Sequence, residues 1–92
     1  MSSRAVKKVR VLLGARVRTL REELGYTQRT LGRRARLSGK FIGEVERGEK
    51  SITIDSLYRV AQALRTPLGD LAATNGARRT NGARKTTRRR RR

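Results

Sequence analysis

Residues 24–48, Leu-Gly-Tyr-Thr-Gln-Arg-Thr-Leu-Gly-Arg-Arg-Ala-Arg-Leu-Ser-Gly-Lys-Phe-Ile-Gly-Glu-Val-Glu-Arg-Gly, constrain the fold of this chain more than any other stretch. Thr27 and Ser38 each stand just before a short segment with helical spacing of apolar residues. A hydroxyl in that place accepts a hydrogen bond from a backbone N–H two or three residues on and so opens a helix. Thr27 therefore predicts a helix over residues 28–35, with Leu31 and Ala35 on one face. Ser38 predicts a second over residues 39–47, with Ile42 and Val45 supplying apolar contacts, and Gly48 ends it. A tight turn joins the two. Such a pair packs through its inner faces and leaves one helix exposed to a partner.

The rest of the domain follows from the same periodicity. Val9, Leu13, Val17, Leu20 and Leu24 recur every three or four residues, the mark of an amphipathic helix over about residues 9–24, closed by Gly25. Residues 1–8 are polar and basic and read as a short mobile arm. Thr53 or Asp55 caps a helix over residues 54–64, where Leu57, Val60, Ala61 and Leu64 repeat. Pro67 suits the first turn of a last short helix, with Leu68, Leu71 and Ala72 inward. No run alternates with period two for long enough to be a strand. Five short helices give a compact all-α domain over residues 9–73. Its aromatics are only Tyr26, Phe41 and Tyr58, so Leu, Val, Ile and Ala build the core.

Charge identifies the class of partner. The 92 residues carry 25 Lys and Arg against 7 Asp and Glu, a formal +18. Residues 1–74 hold 16 of the basic and all 7 of the acidic side chains; residues 75–92 hold 9 basic and none acidic. Nucleic acid is the first partner such a balance suggests, an anionic membrane surface the second. Residues 74–92 contain a near-repeat, Thr-Asn-Gly-Ala-Arg-Arg then Thr-Asn-Gly-Ala-Arg-Lys, and end in five arginines. With no apolar side chain larger than Ala, this stretch reads as a disordered basic tail. The absence of Cys and His removes disulfides, thiolate and imidazole metal sites and Cys–His or Ser–His nucleophilic chemistry. No apolar run reaches the ~18–20 residues of a membrane helix, and Arg16, Arg18 and Arg21 interrupt any signal-peptide core. The expected location is the cytoplasm, at the nucleoid, with no membrane, metal or cofactor.

Residues 13–71 carry a specific resemblance. Leu13-Gly14-x-x-Val17-Arg18-x-Leu20-Arg21-Glu22, Thr27-Gln28-x-x-Leu31-Gly32-x-x-Ala35, Ser38-x-x-x-Ile42, Val45-Glu46-Arg47-Gly48 and Ser56-Leu57-x-x-Val60-Ala61-x-Ala63-Leu64 resemble the Cro/phage-repressor class of helix-turn-helix domains, the XRE family. The resemblance implies a five-helix repressor-like fold whose third helix lies in the DNA major groove, which is about 12 Å wide and admits one helix. It assigns base reading to Gly39, Lys40 and Glu44, with Phe41 beside them, and backbone contacts to Gln28, Arg47 and Lys50. It also implies a partly buried ion pair between Arg21 and Glu46.

This chain departs from the usual pattern on that face, since Gly39 and Gly43 stand where polar readers or small hydroxyls are more common. Lys40 suits guanine O6 or N7, and Glu44 suits cytosine N4. Phe41 either touches a thymine methyl or packs against its neighbours; Glu44 either reads a base or holds Arg47 or Lys40 in place. Arg33, Arg34 and Arg36 either follow the phosphates or form a solvated helix face. Arg36 falls in the turn, where Gly is frequent, and predicts local strain or another turn geometry. Leu31, Ala35, Ile42 and Val45 pack helix on helix, and Gly32 marks a close approach. Arg88, Arg89, Arg90, Arg91 and Arg92 add phosphate affinity without regard to sequence.

The expected function is a sequence-specific transcriptional regulator, a repressor, bound as a homodimer to double-stranded DNA at an inverted repeat. A nucleoid-associated architectural protein with little sequence preference is the alternative, favoured by the sparse reading face and the tail. With no evident room for a ligand pocket, control is expected through abundance or a regulatory protein partner. Seven scattered acids form no catalytic constellation, so no enzyme is expected.

Overall fold

Three hydroxyl side chains open three of the helices. Thr27 Oγ1 accepts from the backbone N–H of Thr30 at 2.9 Å, Ser38 Oγ from Phe41 at 2.9 Å, and Thr53 Oγ1 from Ser56 at 3.1 Å. Each satisfies a donor that the first helical turn otherwise leaves unpaired. The structure, a computed structural model, describes residues 3–73. They form five helices: α1 (Ser3–Glu23), α2 (Gln28–Ala35), α3 (Gly39–Glu46), α4 (Ile54–Ala63) and α5 (Leu68–Leu71).

Helix α1 begins six residues before the expected residue 9, which corrects the reading of residues 3–8 as an arm. Ser-Arg-Ala-Val-Lys-Lys contains no Gly or Pro and is rich in helix formers. Val6 and Val9 also continue the apolar stripe toward Val45 and Ile52, with Leu13 between them. They only border the domain, and both stay exposed. Helix α5 is a single turn with Pro67 as its N-cap residue; Leu71 is fully buried, but Ala72 caps the turn and is exposed, contrary to expectation. The segment 74–92, including the five terminal arginines, lies outside the described residues.

Helix α2 is the central element, packed against both α3 and α4; α1 packs on α3 and α5, and α4 on α5. Val17, Leu31, Ile42, Val60 and Leu71 bring one fully buried side chain from each helix to a common core, with Ala35, Leu57, Ala61 and Leu64 around them. Two glycines set how closely the helices approach. A Cβ on Gly14 would overlap the Val45 carbonyl and lie 2.6 Å from that of Glu46, so α1 and α3 touch backbone to backbone. A Cβ on Gly32 would lie 2.5 Å from the Leu37 carbonyl, which keeps α2 against the turn.

That turn is built on a strained residue. Arg36 adopts φ 62°, ψ 41°, the left-handed conformation that closes α2, and its N–H points to the Gly32 and Arg33 carbonyls. Arg65 closes α4 with φ 57°. L-residues other than Asn and Asp pay about 1 kcal/mol or more for this conformation. Between α2 and α4 the surface opens into a solvent-open cleft of about 640 Å³.

The glycine contacts make opposite forecasts for one substitution. Gly14→Ala is expected to destabilise the domain by about 1–3 kcal/mol, because the methyl meets backbone that cannot yield. Gly69→Ala, with nothing within 4 Å of the added Cβ, is expected to be neutral or stabilising by up to about 1 kcal/mol. Urea unfolding of the two variants measures both.

Candidate nucleic-acid interface

The α3 helix has a buried face and an outer face, and spacing separates them. Ile42, Val45 and Glu46 face the domain and are buried. Lys40, Glu44 and Arg47 follow at steps of four and three, so they fall along one stripe on the other side. Lys40 and Arg47 are exposed and Glu44 is half-buried.

The inner face ends on a charged network. Arg21 Nε donates to Glu46 Oε2 at 2.6 Å, and its Nη2 donates to Oε1 at 3.1 Å. The same guanidinium donates through Nη1 to the Tyr26 carbonyl at 2.8 Å. The Arg21 side chain is 10% exposed and that of Glu46 3%. The hydrogen bond to Glu46 raises the Arg21 pKa further above its ordinary value, against the effect of burial, so the arginine stays charged. Gln28 completes the network: its Nε2 donates to Glu46 Oε1 at 3.0 Å. One carboxylate on α3 therefore joins the end of α1, the start of α2 and the loop between them.

Gln28, assigned a backbone contact by resemblance, thus has its amide N–H directed at Glu46, and the side chain lies across α3 where it begins to face outward. Its Oε1 is 3.2 Å from the position a Cβ on Gly43 would take, and Arg47 Nη1 is equally close. Gly43 is the gap through which both polar groups reach the same patch. Gly39 has a similar explanation: a Cβ there would lie 3.0 Å from the Arg29 Cα. At Gly39 the neighbour is backbone and at Gly43 it is the movable ends of two side chains, so close packing bears on Gly39 more than on Gly43. Gly39 offers a partner only its backbone. Phe41 is half-buried, and Lys50 is exposed in the loop after α3.

Arg47 carries a clamp that the sequence does not advertise. Its Nε donates to Glu49 Oε2 at 3.0 Å, both side chains being more than half exposed. This hydrogen bond holds the Glu49 carboxyl below its ordinary value and the Arg47 guanidinium above its own. A lowered acid supports its pair above the ordinary carboxylate range and releases it as pH falls through the lowered value. At neutral pH the clamp is closed, and solvent screening leaves it little effect on stability.

Arg29 and Arg10 are two cations near this surface that the sequence reading leaves out. Arg29 is exposed with its backbone against Gly39, which places it at the N-terminal edge of α3. Arg10 Nε reaches the Gly48 carbonyl at 3.4 Å, beside the end of α3. Their places depend on how α2 and α1 pack on α3, which the sequence does not signal. Among the described residues no group of three or more acidic residues is placed to hold a metal ion, and no helix is long and apolar enough to cross a membrane.

Known proteins share this arrangement. A family model described as helix-turn-helix matches residues 17–71. An uncharacterized HTH-type transcriptional regulator of Sinorhizobium fredii is 38% identical over 56 residues, covering 61% of this chain and 73% of that protein. An uncharacterized transcriptional regulator in the ATPase CF(0) region of Rhodospirillum rubrum is 38% identical over 66 residues, 72% of this chain and 61% of that one. Among solved structures, the clp gene regulator ClgR of Corynebacterium glutamicum superposes with a TM-score of 0.66 at 35% identity, over 68% of this chain and 67% of its own. The restriction-modification controller protein C.AhdI of Aeromonas hydrophila gives 0.66 at 32% identity, over 67% and 94%.

Removing one partner of a buried pair strands the other charge. Glu46→Ala is expected to cost about 3–5 kcal/mol in chemical unfolding. Gln28→Ala, which removes one neutral donor and leaves the pair intact, is expected to cost about 0.5–1.5 kcal/mol.

Proposed function

The chain belongs to the helix-turn-helix family of transcriptional regulators, and on that premise we propose that it is a sequence-specific DNA-binding repressor that seats α3 in the major groove. One observation carries this reading: α3 is fixed from its inner face by a buried ion pair, and its outer stripe of Lys40, Glu44 and Arg47 stands clear of the core. A helix held that rigidly presents its side chains in one register, which reading base edges requires.

In this account Lys40 donates to guanine and Glu44 accepts from cytosine, with Phe41 and the backbone of Gly39 alongside. Gln28, Arg47 and Lys50 face phosphates, and Arg47 leaves Glu49 to do so. Arg88, Arg89, Arg90, Arg91 and Arg92 add sequence-independent affinity, with a salt slope of about −0.9 for each phosphate neutralised. The protein acts in the cytoplasm, at the nucleoid, as a homodimer whose half-sites lie about 34 Å apart, one turn of DNA. It has no enzymatic activity, and its control runs through abundance or a regulatory protein partner. Architectural DNA binding is the second reading, because glycine stands at residues 39 and 43, where polar readers or small hydroxyls are more common in the family, and fewer side chains remain to read bases.

Selection of binding sequences from a random duplex pool separates the two. The full chain is expected to enrich a palindromic motif. Lys40→Glu is expected to change that motif, whereas deleting Arg88, Arg89, Arg90, Arg91 and Arg92 is expected to weaken all sequences about equally and flatten the salt slope. Enrichment of no sequence by the full chain contradicts the repressor and favours the architectural protein.

A further inference from the structure

The cleft between α2 and α4 is a second cationic site, away from the outer stripe of α3. Arg34, Arg36, Arg59 and Arg65 line it together with Tyr26 and Tyr58, and no carboxylate among the described residues does. Its lining includes none of Lys40, Glu44 and Arg47.

Two features distinguish this lining. Arg36 and Arg65 are the only non-glycine residues with positive φ among those described, and both line this one cleft. Glycine closes a helix in that conformation without strain, so the fold alone favours glycine at both places. A cation beside a helix C-terminus recovers part of the strain, but a cation does not have to occupy the left-handed residue itself. Strained backbone positions gathered at one concave site are the pattern of a functional site.

The aromatic residues are the second feature. Tyr26 and Tyr58 are the only tyrosines in the chain, and both border the cleft. The Arg34 guanidinium lies over the Tyr26 ring, 5.0 Å from its centroid, a cation–π pair that fixes one wall. Arg59 is held by hydrogen bonds to the Ala35 carbonyl at 2.9 Å and to Ser56 Oγ at 3.2 Å, so it is part of the frame. Tyr58 is 51% exposed, and its hydroxyl accepts from Gln62 Nε2 at 3.2 Å, which steadies the ring.

We propose that this cleft binds nucleotide units, taking phosphate on Arg36 and Arg65 and stacking a base on Tyr58. Concavity favours this over a second duplex, whose convex backbone meets a groove poorly. The cleft volume of about 640 Å³ falls within the ~300–1,000 Å³ of small-ligand sites. Arginines interleaved with exposed aromatic rings are the combination that grips phosphates and unpaired bases together. A free nucleotide and a single strand offer this same chemistry.

The test uses the full chain, followed by backbone-amide NMR during titration with adenosine triphosphate, with an eight-residue single strand of deoxythymidine, and with inorganic tripolyphosphate. The signals of Tyr26, Arg36, Tyr58 and Arg65 are expected to shift with a nucleotide-bearing probe. Shifts with adenosine triphosphate name a free nucleotide as the source, and shifts with the single strand alone name the strand. Arg36→Gly/Arg65→Gly is expected to keep or raise Tm, since glycine relieves both backbones, and to weaken the binding that shifts Tyr58 at least tenfold. Tyr58→Ala, at a half-exposed position, is expected to weaken it about tenfold. The proposal is overturned if neither nucleotide probe shifts these signals, if tripolyphosphate binds there as tightly as adenosine triphosphate, or if the double-glycine variant binds like the original chain.

Discussion

What α3 presents to a partner depends on the two hydrogen bonds between the Arg21 guanidinium and the Glu46 carboxylate. Arg21 sits in the last turn of α1 and Glu46 at the end of α3, and Gln28 at the start of α2 shares the same carboxylate. Burying two charges is expensive, and an apolar pair of similar volume often serves stability as well or better. An apolar pair tolerates sliding, however, whereas a bidentate guanidinium–carboxylate contact accepts one orientation. Because the third nitrogen of Arg21 also holds the Tyr26 carbonyl, the loop leading into α2 is tied to the same point. The network thus orients three helices at once, and the outer stripe of α3 inherits that orientation.

Glycines supply the complementary constraint of distance. Gly14 lets α1 meet the α3 backbone close to the ion pair, and Gly32 lets α2 meet the turn. Gly39 and Gly43 show a milder form of the same closeness, since a Cβ would lie 3.0 Å from the Arg29 Cα at the first and 3.2 Å from the side-chain ends of Gln28 and Arg47 at the second. Close packing and a rich outer surface are in competition here. At residue 39 the Arg29 backbone limits what fits, and the side chains left on the outer stripe of α3 are the exposed Lys40 and Arg47 and the half-buried Glu44.

Much of this was legible in the sequence because it rests on local rules. The caps at Thr27 and Ser38 and the buried faces of α2 and α4 follow from residue type and spacing. Thr53 was one of two candidate caps with Asp55, and for Arg36 the sequence offered strain or another turn geometry, of which the structure shows the strain. The start of α1 was not, because a basic stretch can be a solvated helix as readily as an arm, and Val6 and Val9 give only a weak continuation of the stripe. The partnership of Arg21 with Glu46 spans 25 residues and came from the family resemblance, since periodicity cannot pair positions on different helices. The packing role of Gly39 and Gly43 and the clamp of Glu49 on Arg47 depend on tertiary distances that spacing does not encode. The cleft of Arg36 and Arg65 was hidden for the same reason, as these residues close separate helices and meet only through the packing of α2 on α4.

The central claim, that the buried network holds α3 as the surface that meets DNA, is tested most directly by titrating the full chain with a short GC-rich duplex and following its backbone amides by NMR at moderate salt. The account predicts the largest shifts at Gln28, Gly39, Lys40, Phe41 and Glu44, with the core of α4 nearly unmoved. Shifts concentrated on α4 and α5, with α3 unaffected, would contradict it.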